Sequence, residues 1–207
     1  RADPGAARIG AVNTVVKQPD GTLEGRNADG FGFLEALKHG APDWRADAGP
    51  VVVLGAGGAA RAVVATLMDA NVPELRLVNR TQKAAVDLGA AFTPDDGRRV
   101  VVGHWDDRSR ALDGATLLVN TTSLGMKVQP PLDLDLALLP RRATVYDIVY
   151  VPLETDLLAA ARARGNCCVD GLGMLLHQAR VGFEAWFSQK VDVSAEQRRA
   201  VAADLGA

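Results

Sequence analysis

The fold is decided by the stretch Val51-Val52-Val53-Leu54-Gly55-Ala56-Gly57-Gly58-Ala59-Ala60-Arg61. Its apolar start predicts a strand buried on both faces, and residues 59–69 predict a helix after the glycine-rich turn. The turn fits the pattern G-x-G-x-x-A at Gly55, Gly57 and Ala60, which is typical of dinucleotide binding. The first glycine permits the tight turn, the second lets a pyrophosphate approach the backbone, and the alanine lets the helix pack closely. Alone, the pattern is equally compatible with a plain connector.

The residues after this turn complete a strand–helix–strand unit. Residues 74–78 predict a second strand, which ends at Asn79-Arg80-Thr81. An NAD site usually carries an acidic residue here, which binds the ribose 2′-hydroxyl. This chain instead offers Arg80 and the nearby Lys83, and a cation near a helix N-terminus is unfavourable unless an anion offsets it. The sequence therefore favours NADP over NAD; the alternative is a solvated helix start.

Composition limits the class of protein. The chain has 207 residues, of which 48% are hydrophobic, and a formal net charge of −2. This balance argues against nucleic acid or an anionic membrane as the main partner. No apolar run is long enough to span a bilayer, and no signal peptide is visible. The three scattered histidines predict no metal site.

The only two cysteines, Cys167 and Cys168, are adjacent in a predicted buried strand. Neighbours in a strand are poorly placed to bridge one another. Their number and position therefore favour a reducing, cytoplasmic compartment.

Strands and helices alternate along the chain, which predicts an α/β fold with a doubly wound, Rossmann-type, mostly parallel sheet. Further strands are predicted at residues 9–16, 22–25, 100–102, 116–119, 144–149 and 167–169. Further helices are predicted at residues 31–39, 82–92, 155–164 and 172–187. A capping box at Ser194-Ala195-Glu196-Gln197 predicts a final helix.

Two polar residues near the start of the chain each allow two interpretations. Asn13 interrupts an apolar run, so it is either a polar residue of an edge strand or an amide aimed at a polar ligand. Asp29, in Asn27-Ala28-Asp29-Gly30, is either part of a helix N-cap or a functional carboxylate. Spacing alone favours the cap.

Several motifs, taken in order, resemble the shikimate dehydrogenase family of the aromatic amino-acid pathway. They cover nearly the whole chain, at residues 9–14, 27–30, 53–59, 79–81, 120–126, 147–152 and 170–175, followed by Gln178. One small departure is Ala28, where the family usually has threonine. The resemblance adds an expected second α/β substrate domain to the Rossmann-type sheet.

The resemblance implies a reaction, the reversible hydride transfer between NADP(H) and the ketone of 3-dehydroshikimate, which gives shikimate. The family uses a Lys–Asp pair at the reacting oxygen, where a cationic acid stabilises the developing alkoxide and donates a proton. Asp29 matches the family's aspartate, which reverses the preference for a helix cap. Asn13 and Gln178 match substrate-binding residues, and Tyr150 matches a tyrosine that lines the substrate cleft.

The resemblance also implies a set of cofactor-binding residues. Gly171 and Met174 match positions beside the nicotinamide, and Thr121 lies in the loop that passes the cofactor. The full expected set is Gly55, Ala56, Gly57, Gly58, Ala59, Asn79, Arg80, Thr81, Lys83, Thr121, Gly171 and Met174.

One departure concerns the catalytic lysine, which the family carries in an amino-terminal motif such as N-V-T-x-P-x-K. The lysines of this chain are Lys17, Lys38, Lys83, Lys127 and Lys190, and none stands in such a motif. We therefore expect most of the substrate domain to be missing from this sequence. Residues 1–28 would end that domain, residues 29–170 would form the NADP-binding domain, and the helices of 171–207 would return to the substrate domain.

Other functions are compatible with the same residues. One is a quinate or aminoshikimate dehydrogenase, although Asn79-Arg80-Thr81 argues against an NAD-using quinate enzyme. A second is an NADP-binding module without catalysis, which the missing lysine favours. A third is a purely structural domain. A homodimer is a further expectation from the resemblance.

Overall fold

The computed structural model describes residues 1–93 and 98–205. Its strands are β1 (Thr14–Lys17), β2 (Leu23–Arg26), β3 (Val51–Leu54), β4 (Glu74–Val78), β5 (Arg99–Gly103), β6 (Leu117–Asn120), β7 (Thr144–Asp147) and β8 (Cys167–Val169). Its helices are α1 (Pro4–Ile9), α2 (Asp29–Gly40), α3 (Gly58–Asp69), α4 (Gln82–Phe92), α5 (Asp156–Ala163), α6 (Gly171–Phe187) and α7 (Ala195–Asp204).

Strands β3 to β8 form one six-stranded sheet in the order β5-β4-β3-β6-β7-β8. All neighbouring pairs in it are parallel. The chain starts the sheet at β3, runs outward to β5, and returns to β6 on the other side of β3. This confirms the predicted doubly wound sheet and puts the change of direction between β3 and β6, where such sheets bind ligands.

The sheet is covered on both faces, as the apolar run in β3 predicts. Val51 and Val53 face a core that also contains side chains of α2, α3, α4 and α6. Val52 and Leu54 face a second core, which α5 and the irregular segments around residues 112–139 complete. All four side chains are fully buried. The glycine-rich turn therefore follows a strand whose position is fixed by packing on both faces of the sheet.

The strand predicted over residues 9–16 is wrong in its first half. Residues 4–9 form α1, because Asp3 accepts a hydrogen bond from the backbone N–H of Ala6 as the N-cap and Pro4 occupies the first turn. Gly10 ends the helix in the left-handed region, with φ of 74°. The strand begins only at Thr14 and pairs antiparallel with β2. An N-cap aspartate followed by proline is a helix-start signal that outweighs the apolar run.

The burial predicted for the cysteines is also wrong in part. Cys167 is exposed and Cys168 is half-buried, and both are free thiols. The reason is that β8 lies at the edge of the sheet, where among the described residues it has a single neighbouring strand, β7. In the described part of the chain, no helix has the length and apolar character needed to cross a membrane.

Candidate functional site

The turn after β3 can be built only with glycine at position 55. Gly55 has φ of 111°, and its N–H donates a hydrogen bond of 2.8 Å to the carbonyl of Val78 in β4. A Cβ atom here would overlap Oγ1 of Thr121. That hydroxyl donates a 2.7 Å hydrogen bond to the carbonyl of Leu54. The turn and the Thr121 loop are thus packed against each other at the carboxyl ends of β3 and β6.

The N-terminus of α3 has the features of a phosphate-binding site. Gly57 is the N-cap residue, and within the described residues no side chain caps this helix. A Cβ atom added to Gly57 or to Gly58 would meet nothing within 4 Å. The N–H groups of the first turn and the positive end of the helix dipole therefore face open space. The residues present fit a dinucleotide pyrophosphate.

The end of β4 places one unpaired cation beside this turn. Arg80 is exposed, and its side chain forms no ion pair or hydrogen bond with the described residues. Lys83 differs, because its Nζ lies 2.7 Å from Oδ2 of Asp87. The side-chain amide of Asn79 donates to the carbonyl of Thr81, where α4 begins without a side-chain cap. Arg80 is therefore better available than Lys83 to an anionic ligand.

Asn13 and Asp29, separate motifs in the sequence, meet in the structure. Nδ2 of Asn13 donates a 2.8 Å hydrogen bond to Oδ1 of Asp29, and Oδ1 of Asn13 accepts from the backbone N–H of Ala28 at 2.9 Å. Asp29 is the first residue of α2, whose N-cap residue, Ala28, makes no side-chain cap. Asn27 accepts from the N–H of Asp29. Asp29 is therefore free of a capping role.

Partial burial affects the protonation of Asp29. Desolvation raises the pKa of its carboxyl group, and the hydrogen bonds from Asn13 and Asn27 act in the opposite direction. A carboxylate with these neighbours retains an acceptor oxygen for a cation or a hydroxyl group.

Close packing of α2 on α6 brings Gln178 towards this carboxylate. A Cβ atom on Gly32 would lie 2.7 Å from the carbonyl oxygen of Met174 and 2.9 Å from Cβ of Gln178. Gly32 lies one helical turn after Asp29. Asp29 and Gln178 therefore lie on facing helices, about one turn apart along α2.

The start of α6 is packed tightly against the loop that follows β7. A Cβ atom on Gly171 would overlap the carbonyl oxygen of Ile148, so this position requires glycine. Asp170 caps α6 by accepting from the N–H of Leu172 at 3.0 Å. Tyr150, in the same loop, is 37% exposed, whereas Met174 is buried. The start of α6, with Gly171, and the loop that carries Tyr150 thus lie together at the carboxyl end of β7.

Sequence reasoning gave no role to two polar residues in this region, Asn120 and Asp147. Both are buried, and Nδ2 of Asn120 donates a 2.9 Å hydrogen bond to Oδ1 of Asp147. Burial raises the pKa of Asp147 to about 6. The sequence signal that could have pointed to Asn120 and Asp147 is that each stands as a polar residue at the end of a buried apolar strand. Among residues 1–93 and 98–205, no three His, Cys, Asp or Glu side chains lie together where they could hold a metal ion.

Comparison with known proteins identifies the family. Residues 171–195 match the model of the shikimate 5′-dehydrogenase C-terminal domain. Over 196 residues the chain is 61% identical to the NADP(+) shikimate dehydrogenase of Paramagnetospirillum magneticum, which covers 95% of this chain and 70% of that protein.

Two solved structures resemble the fold. The shikimate 5-dehydrogenase of Thermus thermophilus, in complex with NADP(H) and shikimate, has a TM-score of 0.81 and 36% identity, covering 99% of this chain and 72% of that one. The quinate dehydrogenase of Corynebacterium glutamicum, in complex with NAD, has a TM-score of 0.88 and 33% identity, covering 98% and 71%. Because a relative that is 61% identical matches 95% of this chain over 70% of its own length, the chain belongs to the shikimate dehydrogenase family.

Proposed function

We propose that this chain acts in the NADP-dependent interconversion of shikimate and 3-dehydroshikimate, supplying the cofactor site and one side of the substrate site. The balanced reaction is shikimate plus NADP⁺ giving 3-dehydroshikimate, NADPH and a proton. The observation that carries the proposal is the Asp29 carboxylate. Asn13 holds it at the start of α2, the helix that packs against the helix of Gln178.

The cofactor is held by backbone and cationic groups of this chain. The first turn of α3, from Gly57 onward, binds the pyrophosphate through N–H groups and the helix dipole. Arg80, exposed and without a partner in the described residues, binds the ribose 2′-phosphate, with Asn79, Thr81 and Lys83 around it. Bound NADPH supplies the hydride. Gly171 and Met174 at the start of α6 line the nicotinamide side, and the Gly55 turn supports the Thr121 loop.

The substrate is oriented by polar groups on facing elements. Asn13, Gln178 and Tyr150 bind its hydroxyl and carboxylate groups, and they leave Asp29 beside the reacting oxygen. Reduction of the ketone produces an alkoxide, which a cationic acid stabilises and protonates. Asp29 orients that cation. In the part of the chain that the structure describes, no lysine forms an ion pair with Asp29; Lys38 pairs with Glu35, Lys83 pairs with Asp87, and the other lysines form no ion pair.

The domain division of this proposal follows the same elements. Residues 1–28 close the substrate domain, residues 29–170 carry the NADP site, and residues 171–207 return towards the substrate domain. The chain spans 70% of the length of its relative from Paramagnetospirillum magneticum. A cytoplasmic homodimer without nucleic-acid or membrane partners completes the proposal. Size-exclusion chromatography with light scattering tests the dimer.

The direct test is the initial rate at which NADP⁺ is reduced in the presence of shikimate, followed as NADPH absorbance. The proposal predicts shikimate-dependent turnover that Asp29→Asn removes. If NADPH binds tightly and no substrate gives turnover, the chain is instead an NADP-binding module without catalysis. The absence of a lysine paired with Asp29 in the described residues favours that second candidate.

A third candidate, a quinate dehydrogenase, is favoured by the likeness to the quinate enzyme of Corynebacterium glutamicum. The sequence Asn79-Arg80-Thr81, which has no acidic residue for a ribose 2′-hydroxyl, opposes an NAD-using enzyme of that type. A comparison of rates with shikimate and quinate, each with NADP⁺ and NAD⁺, separates the two. Faster oxidation of quinate with NAD⁺ would overturn the assignment to shikimate.

A further inference from the structure

The carboxyl ends of β6 and β7 are joined by a buried pair of side chains. Asn120 and Asp147 are opposite one another in the register of the two strands. Their exposed fractions are 0% and 1%. Nδ2 of Asn120 donates to Oδ1 of Asp147 over 2.9 Å. Burying a carboxylate costs free energy that apolar packing does not return. The presence of this buried pair at the ends of two strands therefore suggests a role other than packing.

On one side, Asn120 organises the loop that contains Thr121. Its Oδ1 accepts hydrogen bonds from the N–H and the hydroxyl of Thr122, at 3.1 and 2.7 Å. Its Nδ2 also donates to the carbonyl of Leu124 at 3.3 Å. The amide therefore binds both ends of a short loop. Thr121, inside this loop, donates a hydrogen bond to the carbonyl of Leu54 and packs against Gly55.

On the other side, Asp147 organises the loop that contains Tyr150. Its Oδ1 accepts from the N–H of Val149 at 3.1 Å, and its Oδ2 accepts from the hydroxyl of Thr155 at 2.8 Å. Thr155 in turn caps α5 by accepting from the N–H of Leu158. The carboxylate therefore binds the beginning and the end of the segment 149–155.

We infer that Asp147 is a positioning residue, which through Asn120 holds the Thr121 loop and the Tyr150 loop in one fixed arrangement. The inference rests on the proposed function, because it assigns the two loops to the nicotinamide half of the cofactor and to the substrate. No other side chain in the described residues hydrogen-bonds to both loops. Removal of the carboxylate takes an acceptor from three buried donors, namely Asn120 Nδ2, which keeps the carbonyl of Leu124, the N–H of Val149 and the hydroxyl of Thr155. The loops then shift to satisfy these donors, although the backbone hydrogen bond from Lys127 to Val151 still joins them.

The test measures two ligands, because a general loss of structure would weaken both. In the proposed complex, the nicotinamide half of NADPH contacts both loops. Adenosine 2′,5′-bisphosphate lacks that half and contains only the phosphorylated adenosine that binds Arg80. We expect Asp147→Ala to raise the Kd for NADPH about tenfold, because the displaced loops contact its nicotinamide half less closely. The Kd for adenosine 2′,5′-bisphosphate should change less than about twofold. Asp147→Asn should stay close to the unaltered protein, because the amide still accepts from Asn120 and Val149.

The chain offers a matched control at the opposite, amino-terminal end of the strands, between β7 and β8. Asn166 is buried, and its Nδ2 donates to the carbonyls of Pro140, Arg141 and Ala143. Asn166→Ala should lower the melting temperature as Asp147→Ala does, yet leave both Kd values unchanged. If Asp147→Ala fails to fold, Thr155→Val, which removes one donor and keeps the volume, serves as the second variant and should weaken NADPH alone.

Equal weakening of both ligands by the folded variant would overturn the inference, and so would unchanged NADPH affinity. Failure of the proposed cofactor site is a different result, since the unaltered chain would then bind neither ligand, and failure of the proposed catalysis would appear as NADPH binding without shikimate-dependent turnover. These failures are therefore distinguishable by one set of titrations and the turnover assay.

Discussion

The side-chain amide of Asn13 donates a 2.8 Å hydrogen bond to the carboxylate of Asp29. The two residues belong to different elements, one directly before β1 and the other at the first position of α2. The other end of the same amide holds the backbone N–H of Ala28. This contact fixes the carboxylate at the start of the helix that packs against α6, and it leaves the second oxygen for a ligand.

Asp29→Asn should cut shikimate-dependent turnover and leave NADPH affinity intact. The amide oxygen still accepts from Asn13, so the fold is retained, but the negative charge that orients a cationic acid is lost. We expect a decrease in kcat of about a hundredfold or more. Asp47→Asn, at an exposed carboxylate paired with Arg45, is the control and should have no effect. Unchanged turnover in Asp29→Asn would show that this carboxylate has only a structural role.

Gly57→Ala should leave stability unchanged, whereas Gly55→Ala should lower it. A methyl group on Gly57 meets nothing within 4 Å, so the melting temperature should not change, but the methyl occupies the space of the pyrophosphate. We expect NADPH affinity to fall about tenfold or more. At Gly55, with φ of 111° and a close contact to Thr121, we expect destabilisation of about 1–3 kcal/mol. Calorimetry and fluorescence titration check both. Full NADPH affinity in Gly57→Ala would contradict the turn assignment.

Arg80→Asp should weaken NADPH binding much more than NADH binding. A carboxylate would face the 2′-phosphate, which NADH lacks, and the exposed position predicts no change in stability. We expect a loss of about tenfold or more for NADPH alone. Lys83→Ala is the matched comparison and should have a smaller effect, because Lys83 is paired with Asp87. Equal losses for the two cofactors would rule out Arg80 as the phosphate ligand.

Gly32→Ala should separate α2 from α6. The added Cβ would lie 2.7 Å from the carbonyl of Met174 and 2.9 Å from Cβ of Gln178, so the helices must shift. We expect a loss of about 1–3 kcal/mol in the free energy of unfolding and a raised KM for shikimate. Gly5→Ala in α1, where the nearest atom lies at an ordinary 3.5 Å, is the control. A fully stable Gly32→Ala with unchanged KM would contradict the close packing.

Asp147 should make the free energy of unfolding depend on pH. Its pKa is about 6 in the folded chain, above the ordinary 3.8, because it is buried. The folded state therefore binds more protons between these values, and stability falls as pH rises from about 4 to 7. The decrease from this group is about 3 kcal/mol. Asp147→Asn should flatten the profile in denaturant titrations, and an identical slope in both proteins would refute the raised pKa.

Local patterns predicted most of the fold. The observed bounds of β4, α4 and β8 agree with the predicted bounds residue for residue. The prediction of a strand from Ile9 was wrong because residues 4–9 form a short helix, which Asp3 caps at its start and Gly10 ends. The exposure of Cys167 depends on the order of the strands, which a local pattern does not contain.

The candidate site was predictable only where motifs carry their own chemistry. The Gly55 turn and Arg80 follow from the strand–turn–helix pattern. The contact between Asn13 and Asp29, and that between Asn120 and Asp147, joins residues 16 and 27 positions apart. Such contacts depend on how the elements pack, so they emerge only from the fold, although the resemblance had already singled out Asn13 and Asp29.

The most direct test of the account is a fluorescence titration of the unaltered chain with NADPH and, in parallel, with NADH. NADPH should bind about tenfold or more tightly than NADH, because Arg80 binds the 2′-phosphate, which NADH lacks. Equal affinity for the two cofactors, or no binding of either, would contradict it.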